Sequence, residues 1–190
     1  MSGLQTKENI QNFRGFGGAQ SYPSRTKDID DVDISTGSVG LGVAMTSFIS
    51  LTQDYIANKA FGKELTKGRM IALVGDAELD EGNIYECLQE GWKHDLRNVW
   101  WIIDYNRQSL DGVVHEGLSE RLGSVFEAFG WNLVVLKYGK LQKEAFGEPG
   151  GDQLKKWIDD CPNQLYSALI YEGGATFKQR VLDDIGDQNI

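Results

Sequence analysis

The chain has 190 residues, 19 Lys and Arg against 28 Asp and Glu, and a formal net charge of −9. At this length a fold buries roughly 70% of its unfolded surface, so a core is attainable without disulfides or structural metal. The acidic balance argues against a nucleic-acid binder, which needs a basic face to neutralise phosphates. Cys87 and Cys161 stand far apart with no CxxC pair, which excludes a disulfide framework and suits a reducing compartment.

In chain order, Leu4 to Phe13 reads as a short amphipathic helix stopped by Gly15, Gly17 and Gly18. Tyr22-Pro23-Ser24 and the acidic stretch Asp28 to Asp33 read as extended, solvated chain, making residues 1–34 an N-terminal arm. The glycine-spaced turn Thr36-Gly37-Ser38-Val39-Gly40-Leu41-Gly42 leads into a helix to about Ala60. Its apolar run, Val39 to Leu51, is too short to span a bilayer, which takes about 20 residues. With no signal-like N-terminus, the expectation is a cytoplasmic protein without membrane partners.

Met70 to Val74 is a continuous apolar run of the buried parallel-strand kind. A helix follows over Glu81 to Lys93, then a second strand over Val99 to Ile103, a helix over Leu118 to Phe129 and a third strand over Asn132 to Leu136. This alternation marks βαβ units. The expected fold is α/β: a doubly wound, mostly parallel sheet with helices on both faces. Leu141 to Gly151 reads as a surface loop, Asp152 to Asp160 as a helix, and Tyr166 to Tyr171 as a strand or a helix. The domain is expected over residues 35–182, with residues 183–190 a fraying tail.

Ligands of open α/β sheets bind outside the carboxyl ends of the strands. Gly75-Asp76-Ala77-Glu78-Leu79-Asp80-Glu81-Gly82 follows the first strand, and Asp104-Tyr105-Asn106-Arg107-Gln108 follows the second. Asp76 and Asn106 thus lie one βαβ unit apart, each just past a strand. A carboxylate, an amide oxygen and a backbone carbonyl make a hard oxygen site suited to Mg²⁺ or Ca²⁺. Water and a phosphorylated ligand would complete it, with helix N-termini donating to the anion. The same residues also fit helix caps and turns. An EF-hand is excluded, because Glu81 stands where its loop needs Gly and Cys87 where it needs Glu. A dinucleotide-binding domain is disfavoured, since no strand is followed by GxGxxG and the Gly37-Gly40-Gly42 spacing differs.

The stretch from Gly75-Asp76-Ala77 to Asn106 resembles the thiamine-diphosphate fingerprint, which opens Gly-Asp-Gly and ends in Asn. Glu81-Gly82, Glu86 and Ser109-Leu110-Asp111-Gly112 are similar to the transketolase superfamily. The ordered stretches Ser38 to Gly42, Gly75 to Glu81, Asn106 to Gly112 and Phe126 to Asn132 resemble most the homodimeric type of pyruvate dehydrogenase E1 component. The resemblance implies that Asp76 and Asn106 ligate Mg²⁺ through side-chain oxygens and Gln108 through its backbone carbonyl. It makes Gly75 a cofactor-binding residue and places Ala77 and Glu78 against the diphosphate, and Gly37, Ser38 and Val39 by the thiazolium or aminopyrimidine.

The same resemblance gives Glu81 and Glu86 a part in a carboxylate-and-water chain between two active sites; a solvated helix N-terminus explains them equally. Ala77 replaces the fingerprint's third-position Gly, where a positive φ would be harder to adopt. Val113 stands where transketolases carry His, leaving His115 as a candidate substrate or phosphate contact, or a surface residue. His94 reads as a residue complementing a helix C-terminus.

The carboxylate that activates the cofactor comes, in this superfamily, from a separate pyrimidine-binding domain. The resemblance therefore implies a partner domain or subunit, a homo- or hetero-oligomer, and an isolated chain without activity. The whole enzyme would be an oxidoreductase passing an acyl unit from a 2-oxoacid to a lipoyl carrier, or a transferase moving ketol units. A non-catalytic cofactor-binding or assembly module is the third reading.

Overall fold

The computed structural model describes residues 6–28, 31–59, 68–107 and 117–186. The chain forms two compact units, Met1–Asp104 and Tyr105–Ile190. The mixed α/β class with a parallel sheet is as expected.

In the first unit, α1 spans Lys7–Gln11, capped by Thr6, whose hydroxyl accepts the Asn9 N–H at 3.1 Å. The arm that follows is tied down rather than loose. Thr36 N–H donates to the Pro23 carbonyl at 2.9 Å and Arg25 N–H to the Ser35 hydroxyl at 3.0 Å. Within the arm, Ser24 N–H donates to Asp28 Oδ2 at 2.6 Å.

Helix α2 spans Leu41–Ala57 and buries Val43, Ala44, Thr46, Ser47 and Ser50. Strands β1, Met70–Gly75, and β2, Val99–Asp104, pair in parallel, with Met70 opposite Val99 and Gly75 opposite Asp104. A 3-10 turn, Asp76–Asp80, and α3, Gly82–Lys93, connect them.

Strand alternation places Met70, Ala72 and Val74 on the same sheet face as Val99, Trp101 and Ile103. That face meets α2, where the Trp101 indole donates to Thr46 Oγ1 at 3.1 Å. Register at the strand starts is set by Asn98: its carbonyl accepts Met70 N–H at 2.8 Å, and its side chain accepts from Ser50 and donates to the Gly68 carbonyl. Ile84, Cys87 and Leu88 of α3 complete this core and are essentially inaccessible. The opposite sheet face carries Ile71, Leu73, Trp100 and Ile102, all at least half exposed. Both faces are apolar, which is why the strands read as doubly covered.

In the second unit, α4 spans Leu118–Ala128, α5 Lys140–Phe146, α6 Gly151–Asp160, α7 Asn163–Glu172 and α8 Gly174–Ile185. The expected third strand does not form: Asn132 to Leu136 has no regular structure, and Val134, Val135 and Leu136 are well exposed. Its β-branched run has strand propensity, but a strand needs a ladder partner, and none pairs with it among the described residues.

The expected loop over Leu141 to Gly151 is largely α5. Gln142 Oε1 accepts Gly139 N–H at 2.9 Å to start that helix, and Lys140 faces Glu144 one turn on. Only Gly147 to Gly150 turns the chain. Gly150 has φ +83°, and a Cβ on Gly151 would lie 2.3 Å from the Phe146 carbonyl, so this corner admits only glycine.

Tyr166 to Tyr171 resolves as helix within α7. Helix α8 runs on through Asp183 to Ile185, against the expected fraying from Asp183. There Asp184 accepts from Arg180 at 2.9 Å and from the Trp157 indole at 3.0 Å. Edge-to-face contacts of Phe177 with Trp157 and Tyr166 pack α8 on α6 and α7.

Candidate functional site

The carboxyl ends of β1 and β2 lie side by side, because Gly75 pairs with Asp104. The rim they form is where the fold rule puts a ligand. Asp76, the first residue past β1, is only 2% exposed. Its Oδ1 accepts the N–H of Ala77 at 3.0 Å, an arrangement that fixes the carboxylate at the turn. Gly75 leaves open space where a side chain would stand: a Cβ there meets nothing within 4 Å.

Ala77 lies in the 3-10 turn and is not among the residues with positive φ. The departure from Gly is thereby accommodated, since the turn places no left-handed residue at that position. Leu79, 3% exposed, anchors the turn in the core.

Glu78 is held by two backbone donors. Its Oε1 accepts Gly75 N–H at 3.1 Å, and its Oε2 accepts Gly40 N–H at 3.1 Å. Gly40 is buried, has φ +77° and begins α2. A Cβ on Gly40 would come within 2.9 Å of Glu81 Cβ and Asn83 Oδ1, so the start of α2 packs directly on the start of α3. Gly37, Ser38 and Val39, just ahead of it, are exposed on the approach to this junction.

Glu81 is the residue that begins α3, with its backbone carbonyl accepting Ile84 N–H at 3.1 Å. Glu86 lies further along α3 on an exposed face. Beside it, burial and then the charges of Glu86 and Glu90 push the Cys87 thiol up to about 11. His94 closes α3, and its Nε2 lies 3.4 Å from the Glu90 carboxylate one turn back. Gln108 and His115 lie outside the described residues. Among the described residues, no group of three His, Cys, Asp or Glu side chains is arranged as a metal cluster.

Asn106 belongs to the second unit, and so does a residue that sequence reasoning passed over. Arg107 is 8% exposed and has φ +67°. Its guanidinium donates to the carbonyls of Ile158 at 3.2 Å and Cys161 at 3.3 Å, and lies 4.0 Å from the centre of the Tyr166 ring. A charged residue inside the second fingerprint stretch was the available signal; its partners, half a hundred residues on, gave none.

The second unit also holds a polar cleft of about 330 Å³ lined by Arg107, Glu120, Lys137 and Asp159, among others. Lys137 Nζ bridges Asp159 at 2.9 Å and Glu120 at 3.6 Å. Burial pushes the Asp159 carboxyl up, but the Tyr138 hydroxyl and the Lys137 ammonium outweigh it and hold the group below the usual carboxylate range.

The fold is thus an α/β unit with two parallel strand ends side by side and a buried carboxylate directly after the first. The family model described as transketolase, thiamine diphosphate binding domain, matches residues 2–145. The chain belongs to this family. It is 31% identical over 142 residues to a protein named transketolase from Staphylococcus aureus (strain MW2), covering 73% of this chain and 21% of that one. It is 24% identical over 184 residues to the pyruvate dehydrogenase E1 component of Escherichia coli (strain K12), covering 94% of this chain and 21% of that protein. A crystal structure of transketolase from Campylobacter jejuni superposes with a TM-score of 0.53 at 29% identity, over 65% of this chain and 19% of that one. The chain therefore spans about a fifth of the length of these relatives.

Proposed function

We propose that this chain forms the diphosphate-side, Mg²⁺-dependent cofactor domain of a thiamine-diphosphate enzyme of the 2-oxoacid dehydrogenase E1 type. The observation that carries the proposal is the buried Asp76 carboxylate at the end of β1, inside the family's cofactor-binding domain.

The residues present fit such a cofactor. Asp76 supplies the hard oxygen that Mg²⁺ requires, and the fingerprint adds the Asn106 amide oxygen and the Gln108 backbone carbonyl. Open space at Gly75 admits a bulky anion next to the turn. The buried Asn83 Nδ2, at the tight junction of α2 and α3, has no acceptor among the described residues and offers a donor. When bound, the cofactor supplies the electron sink for carbanion chemistry.

What the chain's own groups do is hold and orient. Asp76 fixes the metal's place, the turn from Gly75 to Glu78 lines the diphosphate side, and Gly37 to Val39 flank the ring side. In the E1 reading the complete enzyme decarboxylates a 2-oxoacid and passes the acyl unit to a lipoyl carrier. Val113, standing where transketolases have His, favours this reading. Ketol transfer is the second reading, favoured by the higher identity to transketolases than to the E1 component.

A pyrimidine-binding domain, from the same or another chain, completes the site in either case. The exposed apolar stripe of α2 (Leu41, Met45 and Phe48) supports a chain that works within a larger assembly. No helix among the described residues is long and apolar enough to cross a membrane.

Calorimetric titration of the chain with thiamine diphosphate, with and without Mg²⁺, tests the proposal. Binding should require the metal and be lost in Asp76→Ala. Metal-independent binding, or none with a pyrimidine-domain partner present, would overturn it. Assays of both reactions in that mixture separate the E1 from the transketolase reading.

A further inference from the structure

We infer that Glu78 is a positioning residue: its carboxylate latches the glycine turn that begins α2 onto the end of β1, and so sets the distance between the two loops that flank the cofactor. This rests on reading the strand-end rim as the cofactor's seat, and it gives the Glu78 side chain a different task from touching the diphosphate.

Both oxygens are committed to backbone donors from different loops. Oε1 takes Gly75 N–H and Oε2 takes Gly40 N–H, each at 3.1 Å, the latter from 38 positions away in sequence. The geometry is possible because Glu78 is the third residue of the short turn that follows Gly75. Its side chain then reaches back to the N–H of Gly75, the residue that caps the turn, as the acidic residue of a capping box does.

The second bond answers a need of α2. That helix starts at a left-handed glycine with no side-chain cap, and it has no acidic residue in its first turn. Its N-terminal end, positive by the backbone dipole, receives its negative charge from Glu78 instead.

The junction leaves little slack. Gly40 cannot carry a Cβ without meeting Glu81 and Asn83, so α2 and α3 are already in contact there. The carboxylate sits at the one point where the α2 turn, the end of β1 and the start of α3 converge. Gly37 to Val39 and Asp76 to Ala77 are the chain segments on either side of it. Neutralising Glu78 removes one acceptor, because a carboxamide presents a single oxygen and an N–H₂ where two N–H groups point inward.

Residue-resolved amide hydrogen exchange of the full chain, without any cofactor, tests the latch. In Glu78→Gln, exchange at Gly40 or Gly75 should rise about tenfold or more, while Val74 and Leu88 keep wild-type rates. Glu78→Ala should release both amides. Thiamine diphosphate titrations with Mg²⁺ on the same samples should then show affinity falling in step with the released amides.

Rates at Gly40 and Gly75 within twofold of wild type in both variants would overturn the inference. So would lost affinity with both amides still protected, since Glu78 would then act on the cofactor itself. If the wild-type chain binds no cofactor even with a pyrimidine-domain partner present, the proposed function fails, and the exchange rates still decide the latch.

Discussion

Arg107→Ala should loosen the second unit far more than an ordinary surface truncation, because the side chain is buried. The guanidinium donates to the Ile158 and Cys161 carbonyls, and with them to the last turn of α6, which carries no basic residue of its own. It reaches Asn163 Oδ1 at 3.5 Å at the start of α7 and lies over the Tyr166 ring. Each hydrogen bond to a charged group contributes about 1.5–3 kcal/mol, and a carbonyl left buried without a donor costs about 1–3 kcal/mol. These terms overlap, and because the partners left behind are neutral oxygens, the loss should total about 3 kcal/mol.

Backbone strain adds a second, separable signature. Arg107 sits at φ +67°, where an L-residue costs roughly 1–2 kcal/mol relative to the right-handed region. Arg107→Gly loses the same contacts but relieves this strain, so it should be milder than Arg107→Ala by up to about 1 kcal/mol. Arg107→Lys keeps a charge but not the planar fork, and should fall between wild type and Ala.

A chain of two units has no single unfolding free energy, so the assay is opening free energy from native-state hydrogen exchange across α6 and α7. Opening energies in Arg107→Ala within about 0.5 kcal/mol of wild type, the range of an ordinary surface change, would refute the reasoning.

Two further predictions concern titrating groups. Cys87, with its thiol pushed up to about 11 by burial and the neighbouring carboxylates, should stay unmodified by a disulfide reagent at pH 8 and react once urea exposes it; equal rates in both conditions would count against that burial. Asp159 has a depressed folded-state pKa, so its contribution to stability is complete above the unfolded carboxylate value and is lost as pH falls through the folded one. The thermal midpoint of wild type minus Asp159→Asn should therefore shrink between pH 5 and acid. A gap that widens on acidification would contradict the assignment.

How much of this was legible beforehand depended on whether the information was local. The strands at Met70 to Val74 and Val99 to Ile103 could be read because a parallel strand is a short apolar run bounded by turn residues, and both conditions are met within a few positions. The place of Asp76 at the end of β1 was legible for the same reason, since it directly follows the apolar run.

Asn132 to Leu136 misled because β-propensity describes what a segment suits, while pairing depends on an edge elsewhere. The loop expected around Glu148-Pro149-Gly150-Gly151 was over-extended backwards, since its breakers lie at its end and Lys140 to Phe146 contains none. Arg107 and Glu78 were unreadable as anchors: the first depends on residues of α6 and α7, and the second on a glycine N–H in another loop.

The Gly75 to Gly82 stretch packs several structural tasks into one short segment. Asp76 lies buried at the end of β1, Leu79 fills the core, Glu78 accepts from two loops, and Glu81 starts α3, all within six residues. A substitution at any of these positions changes the place of the others, because a 3-10 turn of five residues has no slack to absorb a shift. Ala77 is the exception that the structure explains. Its φ is not positive and its methyl group is small, so the position tolerates a Cβ while the turn on either side stays where its neighbours hold it.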